Sequence, residues 1–180
     1  MKKYAYHVLK ESFVGKTIYP LNQLKNIHPD IFQLEIKKYQ GRELLMSSVN
    51  PILNCLWNDV VQFSCLDPKL TFEAAKHFNP NLKGRTFRIF ALDLCNIKEN
   101  EACLFTPKST RFLHVLENDQ YEKYNSETFE NLSCVPDLQI DRWQEDAKNN
   151  KPLLLWSRTK HFFYKSPISL SEGKIYEIHT

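Results

Sequence analysis

The sequence predicts an α+β fold in which a single mixed or antiparallel sheet is flanked by helices. Segments with the two-residue alternation of strands cluster late in the chain and do not alternate regularly with helical segments. A doubly wound parallel sheet requires that regular alternation, so the order of elements favours α+β. The 180 residues contain no repeat, low-complexity tract or linker-like stretch. We therefore expect one globular domain over residues 1–180.

The first part of the chain is predicted to form a strand, a loop and then helices. Residues 4–9 alternate as a strand does, and Gly15 lies in the polar stretch that follows. Pro29 is a typical first residue of a helix, and Phe32 and Ile36 follow it at helical spacing. The elements predicted here are a strand at 4–9, a loop at 10–19, a short helix at 20–27 and a longer helix from 29 that stops at Gly41.

The rest of the chain is predicted to be mainly strands, with two further helices. Asp67-Pro68 places an N-cap aspartate before a proline at the first helical position, so a helix begins there. Asn58-Asp59 is a turn-prone pair between two short strand-like runs. The elements predicted here are strands at 52–57, 60–64, 85–92, 101–106, 152–156, 161–164 and 174–178, helices at 68–78 and 136–149, and a partly helical segment at 110–133.

The sequence contains no recognisable export signal or membrane span. The first residues lack the continuous apolar run of a signal peptide, and no window has the roughly 18–20 apolar residues of a membrane span. The five cysteines form no CxxC pair and lie mostly in apolar runs, as reduced, buried thiols do in a cytosol. We expect a cytoplasmic protein with no membrane partner.

The charge distribution leaves nucleic-acid binding open as one class of function. The net charge is +3, from 24 basic and 21 acidic residues. Basic residues dominate residues 1–90 and acidic residues dominate residues 91–180, so one face could meet phosphates. However, no run of Lys or Arg exceeds two residues, and no Arg-rich stripe is interleaved with aromatic side chains.

Several common site architectures are excluded by the sequence. Its four glycines are far apart, whereas a P-loop or a dinucleotide-binding turn needs clustered glycines so that the backbone can approach phosphate. No GxSxG nucleophile elbow is present. The six histidines show no HxH or HxxxH spacing, and we predict no metal site.

A resemblance to a known superfamily begins at Tyr6-His7-Val8-Leu9, a predicted strand that carries a histidine and precedes a loop and a helix. A second strand, residues 60–63, ends in the hydroxyl of Ser64 and leads to a helix rich in small residues. This order resembles the ADP-ribosyltransferase-like families, which include the DNA-modifying toxins of the DarT type and the RNA 2′-phosphotransferases. Residues 15–25 and 52–64 also resemble a family of small, functionally uncharacterised proteins of Bacillus-like bacteria.

The resemblance implies a cleft for NAD or a nucleotide-like small molecule, and transfer of ADP-ribose to a protein or nucleic-acid acceptor. A late glutamate would stabilise the charge that develops at the nicotinamide ribose. Residues 152–156, where that glutamate is expected, are apolar, so Glu177 is the candidate. The other implied roles are these: His7 as the catalytic residue that contacts ribose, Tyr19 or Trp57 as the ring stacked on the ligand, Ser64 as the group that orients an amide or a phosphate, and Arg158 as a phosphate contact.

Two alternatives remain open for the same residues. They can be purely structural, with His7 as a hydrogen-bonded histidine of the core or edge, Trp57 as a core ring and Ser64 as a turn residue. On the same scaffold, the aromatic cleft can instead bind a peptide or protein partner without catalysis. Both ligand-binding hypotheses predict that His7 and Ser64 open onto one concavity.

Overall fold

The structure, a computed structural model, describes residues 3–11, 13–108 and 116–180. In this part of the chain, a large antiparallel sheet and a few helices form an α+β arrangement, which confirms the predicted class. The strands are β1 (Tyr4–Leu9), β2 (Thr17–Ile18), β3 (Val49–Asn50), β4 (Cys55–Leu56), β5 (Val61–Ser64), β6 (Thr86–Asp93), β7 (Ala102–Phe105), β8 (Tyr121–Lys123), β9 (His161–Tyr164), β10 (Ile168–Ser169) and β11 (Gly173–His179). The helices are α1 (Leu21–Ile27), α2 (Pro29–Ile36), α3 (Glu43–Met46), α4 (Pro68–Ala75) and α5 (Asp137–Lys148).

Seven of these strands make the main sheet, in the order β11-β6-β1-β5-β9-β7-β8. All of its neighbouring pairs are antiparallel. The short strands β2 and β10 form one two-stranded ladder, and β3 and β4 form another. Because β1 lies between β6 and β5, the first strand of the chain is central in the sheet.

The two faces of the sheet are covered by different parts of the chain. One face carries Ala5, Phe63 and Phe162, which pack with side chains from β2, β10 and the segment after β8. The opposite face is covered by α4, whose Phe72 packs on Ile89 of β6. The side chains of each strand alternate between the two faces. Because consecutive residues such as Ile89 and Phe90 are both apolar, both faces are apolar.

Helices α4 and α5 form a second layer on the latter face. The carboxylate of Asp67 accepts a hydrogen bond from the backbone N–H of Lys69 at 2.8 Å, and Pro68 occupies the first turn. This N-cap is the one that the sequence predicts. The indole of Trp143 on α5 is fully buried and packs with Ala75 of α4 and with Leu82.

The predicted strand at 152–156 is not observed. This segment is irregular and ends in turns, and its backbone is held by side chains of α5 instead of a neighbouring strand. Gln139 Nε2 and Trp143 Nε1 both donate to the carbonyl oxygen of Leu154, at 3.0 and 3.1 Å. The apolar side chains of the segment pack on the second layer, so an apolar run alone did not distinguish a strand from a buried irregular segment.

Three other segments also differ from prediction. Residues 52–57 form mostly a turn that leads into β4, and the predicted loop at 10–19 contains the short strand β2. The predicted helical segment 110–133 lies partly outside the described residues; its described part carries a 3₁₀ turn and β8. All five cysteines are reduced thiols, but Cys95 and Cys134 are exposed, because their segments lie outside the sheet.

Within the described ranges, no helix combines the length and the apolar character that crossing a bilayer needs.

Candidate functional site

The central strands β1 and β5 separate after a single paired position. Tyr6 lies opposite Ser64, and this is the one β1–β5 pair in the described chain, whereas β1 pairs with β6 at all six of its residues. Beyond that position, His7 Nδ1 lies 3.0 Å from the carbonyl oxygen of Gln62 on β5. A side-chain hydrogen bond therefore bridges the two strands at the point where their backbones diverge.

A cavity of about 500 Å³ opens at this fork. Its volume lies in the range of small-molecule sites, roughly 300–1,000 Å³. Residues of β1, β5, the segment between β1 and β2, and helices α1 and α2 contribute to its wall. Among the described residues, six Phe, Tyr and Trp side chains line it: Tyr6, Phe13, Tyr19, Tyr39, Phe63 and Trp156.

His7 is neutral and has a defined tautomer. A carbonyl oxygen can only accept a hydrogen bond. Nδ1 of His7 is therefore protonated and donates to the Gln62 carbonyl oxygen, and Nε2 keeps its lone pair. Burial lowers the pKa of His7, and the positive charge of Lys38 lowers it further, against the opposite effect of the bond to Gln62. The imidazole ring also packs against Phe63, with 5.6 Å between the ring centroids.

A second histidine of the cavity wall, His161, is neutral for the same reason. It lies on β9, directly opposite Ser64 of β5. Burial lowers the pKa of His161 to about 4, although hydrogen bonds to the backbone of Phe63 and Trp156 favour its charged form. Neither histidine therefore brings a positive charge into the cavity near neutral pH.

The charges of the cavity lie at its mouth, on Lys10, Glu35 and Lys38. The Lys10 ammonium pairs with the Glu35 carboxylate, and Lys38 Nζ lies 3.7 Å from the other carboxylate oxygen. Both lysine side chains are mostly exposed, and Glu35 is 19 % exposed. Among the described residues that line the cavity, Glu35 is the one carboxylate, and the three charges together leave a net charge of +1.

Three of the residues singled out from the sequence, His7, Tyr19 and Ser64, line this one cavity. The Tyr19 ring lies edge-on to His28, with 6.3 Å between the centroids. The Ser64 hydroxyl also has a structural role, because it accepts from the backbone N–H of Leu66 at 3.0 Å and lies 3.2 Å from the Leu66 carbonyl oxygen. That turn connects β5 to α4.

The other three, Trp57, Arg158 and Glu177, are not among the residues that line the cavity. The Trp57 indole packs edge-on against Phe105 and Phe163, at centroid distances of 5.3 and 5.1 Å, as a core ring does. Arg158 is partly buried beside α5, where its backbone N–H donates to Gln139. Glu177 is exposed on β11, an edge strand separated from β1 by β6.

Glu35 and Asn58 are among the polar residues of the cavity wall that the sequence does not single out. The sequence shows Glu35 and Lys38 three residues apart, a spacing that pairs charges on any exposed helix. It shows Asn58 only as half of a turn-prone pair. Both reach the cavity through tertiary packing of α2 and of the turn before β5, for which no local pattern exists.

In residues 3–11, 13–108 and 116–180, no three His, Cys, Asp or Glu side chains lie close enough together to hold a metal ion. No family model, no curated protein and no solved structure significantly matches this chain.

Proposed function

We propose that this protein binds NAD or a related nucleotide in the cavity at the β1–β5 fork, on an ADP-ribosyltransferase-like scaffold. The observation that carries this proposal is the neutral His7 at the fork, whose Nε2 is a hydrogen-bond acceptor. A ribose hydroxyl is a donor of matching polarity. The position of His7 on the first strand is also the position that the family resemblance assigns to the ribose contact.

The rest of the cavity suits the other parts of a nucleotide. The rings of Tyr19 and Phe13 on its wall offer faces or edges for a flat base. The ammonium groups of Lys10 and Lys38 at the mouth can contact phosphates, with Glu35 holding both lysines in place. A nucleotide would then extend from the charged mouth into the aromatic interior.

The first test is thermal unfolding of the wild-type chain with NAD, ADP-ribose or AMP at millimolar concentration. We expect NAD to raise Tm, because a ligand that binds only the native state stabilises it by about 2.7 kcal/mol at one hundred times its Kd. Added salt should weaken the shift, since Lys10 and Lys38 contact the phosphates through exposed charges. If none of the three nucleotides changes Tm, the assignment of this cavity to nucleotides is wrong.

Transfer of ADP-ribose to a protein or nucleic-acid acceptor is the reaction proposed for the bound NAD. It needs a carboxylate near the nicotinamide ribose, where positive charge develops in the transition state. Glu177 is the candidate from the sequence, but Glu35 is the carboxylate on the cavity wall. The carboxylate oxygens of Glu35 pair with Lys10 and Lys38.

We expect Glu35→Gln to abolish the release of nicotinamide from NAD, and Glu177→Gln to leave it unchanged. The reason is position, because a group acts on transition-state charge only where it reaches that charge. The measurement is nicotinamide release by chromatography, together with the NAD-induced Tm shift of each variant. Loss of turnover in Glu177→Gln alone would restore Glu177 as the carboxylate.

A non-catalytic interaction module is the second candidate, and the rim of the same cavity favours it. Val14, Ile31 and Leu34 line the cavity while remaining exposed, Val14 to 84 %. An apolar rim of this kind can contact a peptide or protein partner. A Tm shift with NAD but no turnover in the wild-type chain would favour this candidate.

A further inference from the structure

One polar group of the cavity wall has an unmet hydrogen-bonding capacity. Asn58 lines the cavity and is only 2 % exposed. Its side-chain oxygen, Oδ1, is buried and has no hydrogen-bond partner among the described residues. A buried acceptor without a partner costs about 1–3 kcal/mol, so its presence in a folded protein calls for an explanation.

The turn that carries Asn58 is rigidly held. The carboxylate of the next residue, Asp59, accepts from Asn22 Nδ2 at 2.7 Å and from the backbone N–H of Leu56 at 2.8 Å. The carbonyl oxygen of Trp57 accepts from Gln62 Nε2 at 3.4 Å. These bonds tie the turn to α1 and to β5, so Asn58 is held at the cavity wall before any ligand arrives.

A second buried asparagine shows what a structural role looks like in this fold. Asn50 is 1 % exposed, and its Oδ1 accepts from the backbone N–H groups of Ile52 and Leu53, both at 3.0 Å. Its Nδ2 lies 3.0 Å from the Cys103 sulfur. The Asn50 carboxamide therefore closes a turn, whereas the Asn58 oxygen bonds to none of the described residues.

We propose that Asn58 is a specificity-determining residue, whose Oδ1 accepts a hydrogen bond from an amide or amine N–H of the ligand. The inference rests on the proposed function, because it concerns the same cavity. The part of the ligand next to Asn58 would then be a flat group with an N–H donor. In NAD, the nicotinamide carboxamide and the adenine amino group both have this chemistry. The lysines lie at the exposed mouth, so the nearly inaccessible Asn58 is suited to the part of the ligand that lies deepest.

The test compares NAD with two analogues that replace one donor each. Nicotinamide hypoxanthine dinucleotide has an oxo group in place of the adenine amine, and nicotinic acid adenine dinucleotide has a carboxylate in place of the amide. We expect the wild-type chain to bind one of them at least tenfold more weakly than NAD in calorimetric titrations, because the Asn58 oxygen then faces an acceptor. The analogue that loses affinity identifies the donor.

The variants Asn58→Ala and Asn50→Ala complete the design. Asn58→Ala should bind NAD more weakly and bind all three dinucleotides within about threefold of one another, because the Oδ1 that distinguishes them is absent. Asn50→Ala should keep the wild-type discrimination. In the absence of ligand, Asn50→Ala should lower Tm by several degrees, whereas Asn58→Ala should lower it little, since its oxygen satisfies no described protein donor.

Each outcome decides one of the two proposals. If NAD binds and wild-type discrimination is absent, or persists in Asn58→Ala, the role of Asn58 is wrong and the nucleotide proposal stands. A fall in Tm in Asn58→Ala as large as that in Asn50→Ala would show a structural carboxamide and would also overturn this role. If neither NAD nor an analogue binds, the proposed function falls and the role of Asn58 falls with it.

Discussion

His7→Ala is expected to weaken NAD binding at least tenfold and, at one hundred times the wild-type Kd, to reduce the NAD-induced stabilisation by about half or more. The substitution removes the proposed ribose contact and the ring that packs on Phe63. It also removes the bond that bridges β1 and β5 at the fork. One hydrogen bond contributes about 0.5–1.5 kcal/mol, which corresponds to up to about tenfold in affinity, and the lost bridge adds a cost of reordering the site. Calorimetric titration and thermal unfolding measure the two effects.

The matched control for this variant is His179→Ala. His179 is exposed on β11, where its Nδ1 lies 2.9 Å from Thr86 Oγ1, and it does not line the cavity. We expect this control to bind NAD as the wild-type chain does. Unliganded His7→Ala should remain folded, because His7 is only partly buried. An undiminished NAD shift in His7→Ala would contradict the proposed ribose contact.

Trp143→Ala is expected to lower the free energy of unfolding by about 3–5 kcal/mol. The Trp143 indole is 0 % exposed and fills the space between α5 and α4. Its removal leaves a cavity and deletes one of the two hydrogen bonds to the carbonyl oxygen of Leu154. Since domains of this size are stable by about 5–15 kcal/mol, this is a large share of the total. Urea unfolding of both chains measures the difference.

Two variants on α5 test the cause of that loss. Trp143→Phe should lose less, because a ring still fills most of the space while the indole N–H is missing. Gln144→Ala, on the exposed side of the same helix, should change stability by less than about 0.5 kcal/mol. A loss below about 1 kcal/mol in Trp143→Ala would show that α5 does not anchor the second layer.

The accuracy of the sequence-based prediction differs between elements with local signals and elements without them. Residues 4–9 and 161–164 form strands with the predicted bounds. Their strand character could be predicted because it depends on the types of consecutive residues alone. The helix after Asp67 also begins as predicted, since an N-cap followed by proline is a local signal. The predicted strand at 152–156 is wrong, because two side chains of α5 hold that backbone.

The cavity shows the same division. The sequence alone was sufficient to place a histidine in the first strand and a hydroxyl at the end of β5, and both line the cavity. It also predicted an α+β fold with a mixed or antiparallel sheet, and the structure confirms the α+β class, with a large antiparallel sheet. Local periodicity decides these features, because each depends on residues close together in the chain.

Only the tertiary structure decided which polar groups join His7. Glu35 reaches the cavity because α2 packs beside the fork, and Asn58 because its turn is tied to α1 and β5. Tertiary packing also places Trp57 against core rings, away from the cavity wall, and Glu177 on an exposed edge strand. Such contacts join residues far apart in sequence. They depend on how strands diverge and layers pack, and this long-range packing leaves no periodic pattern in the amino-acid sequence.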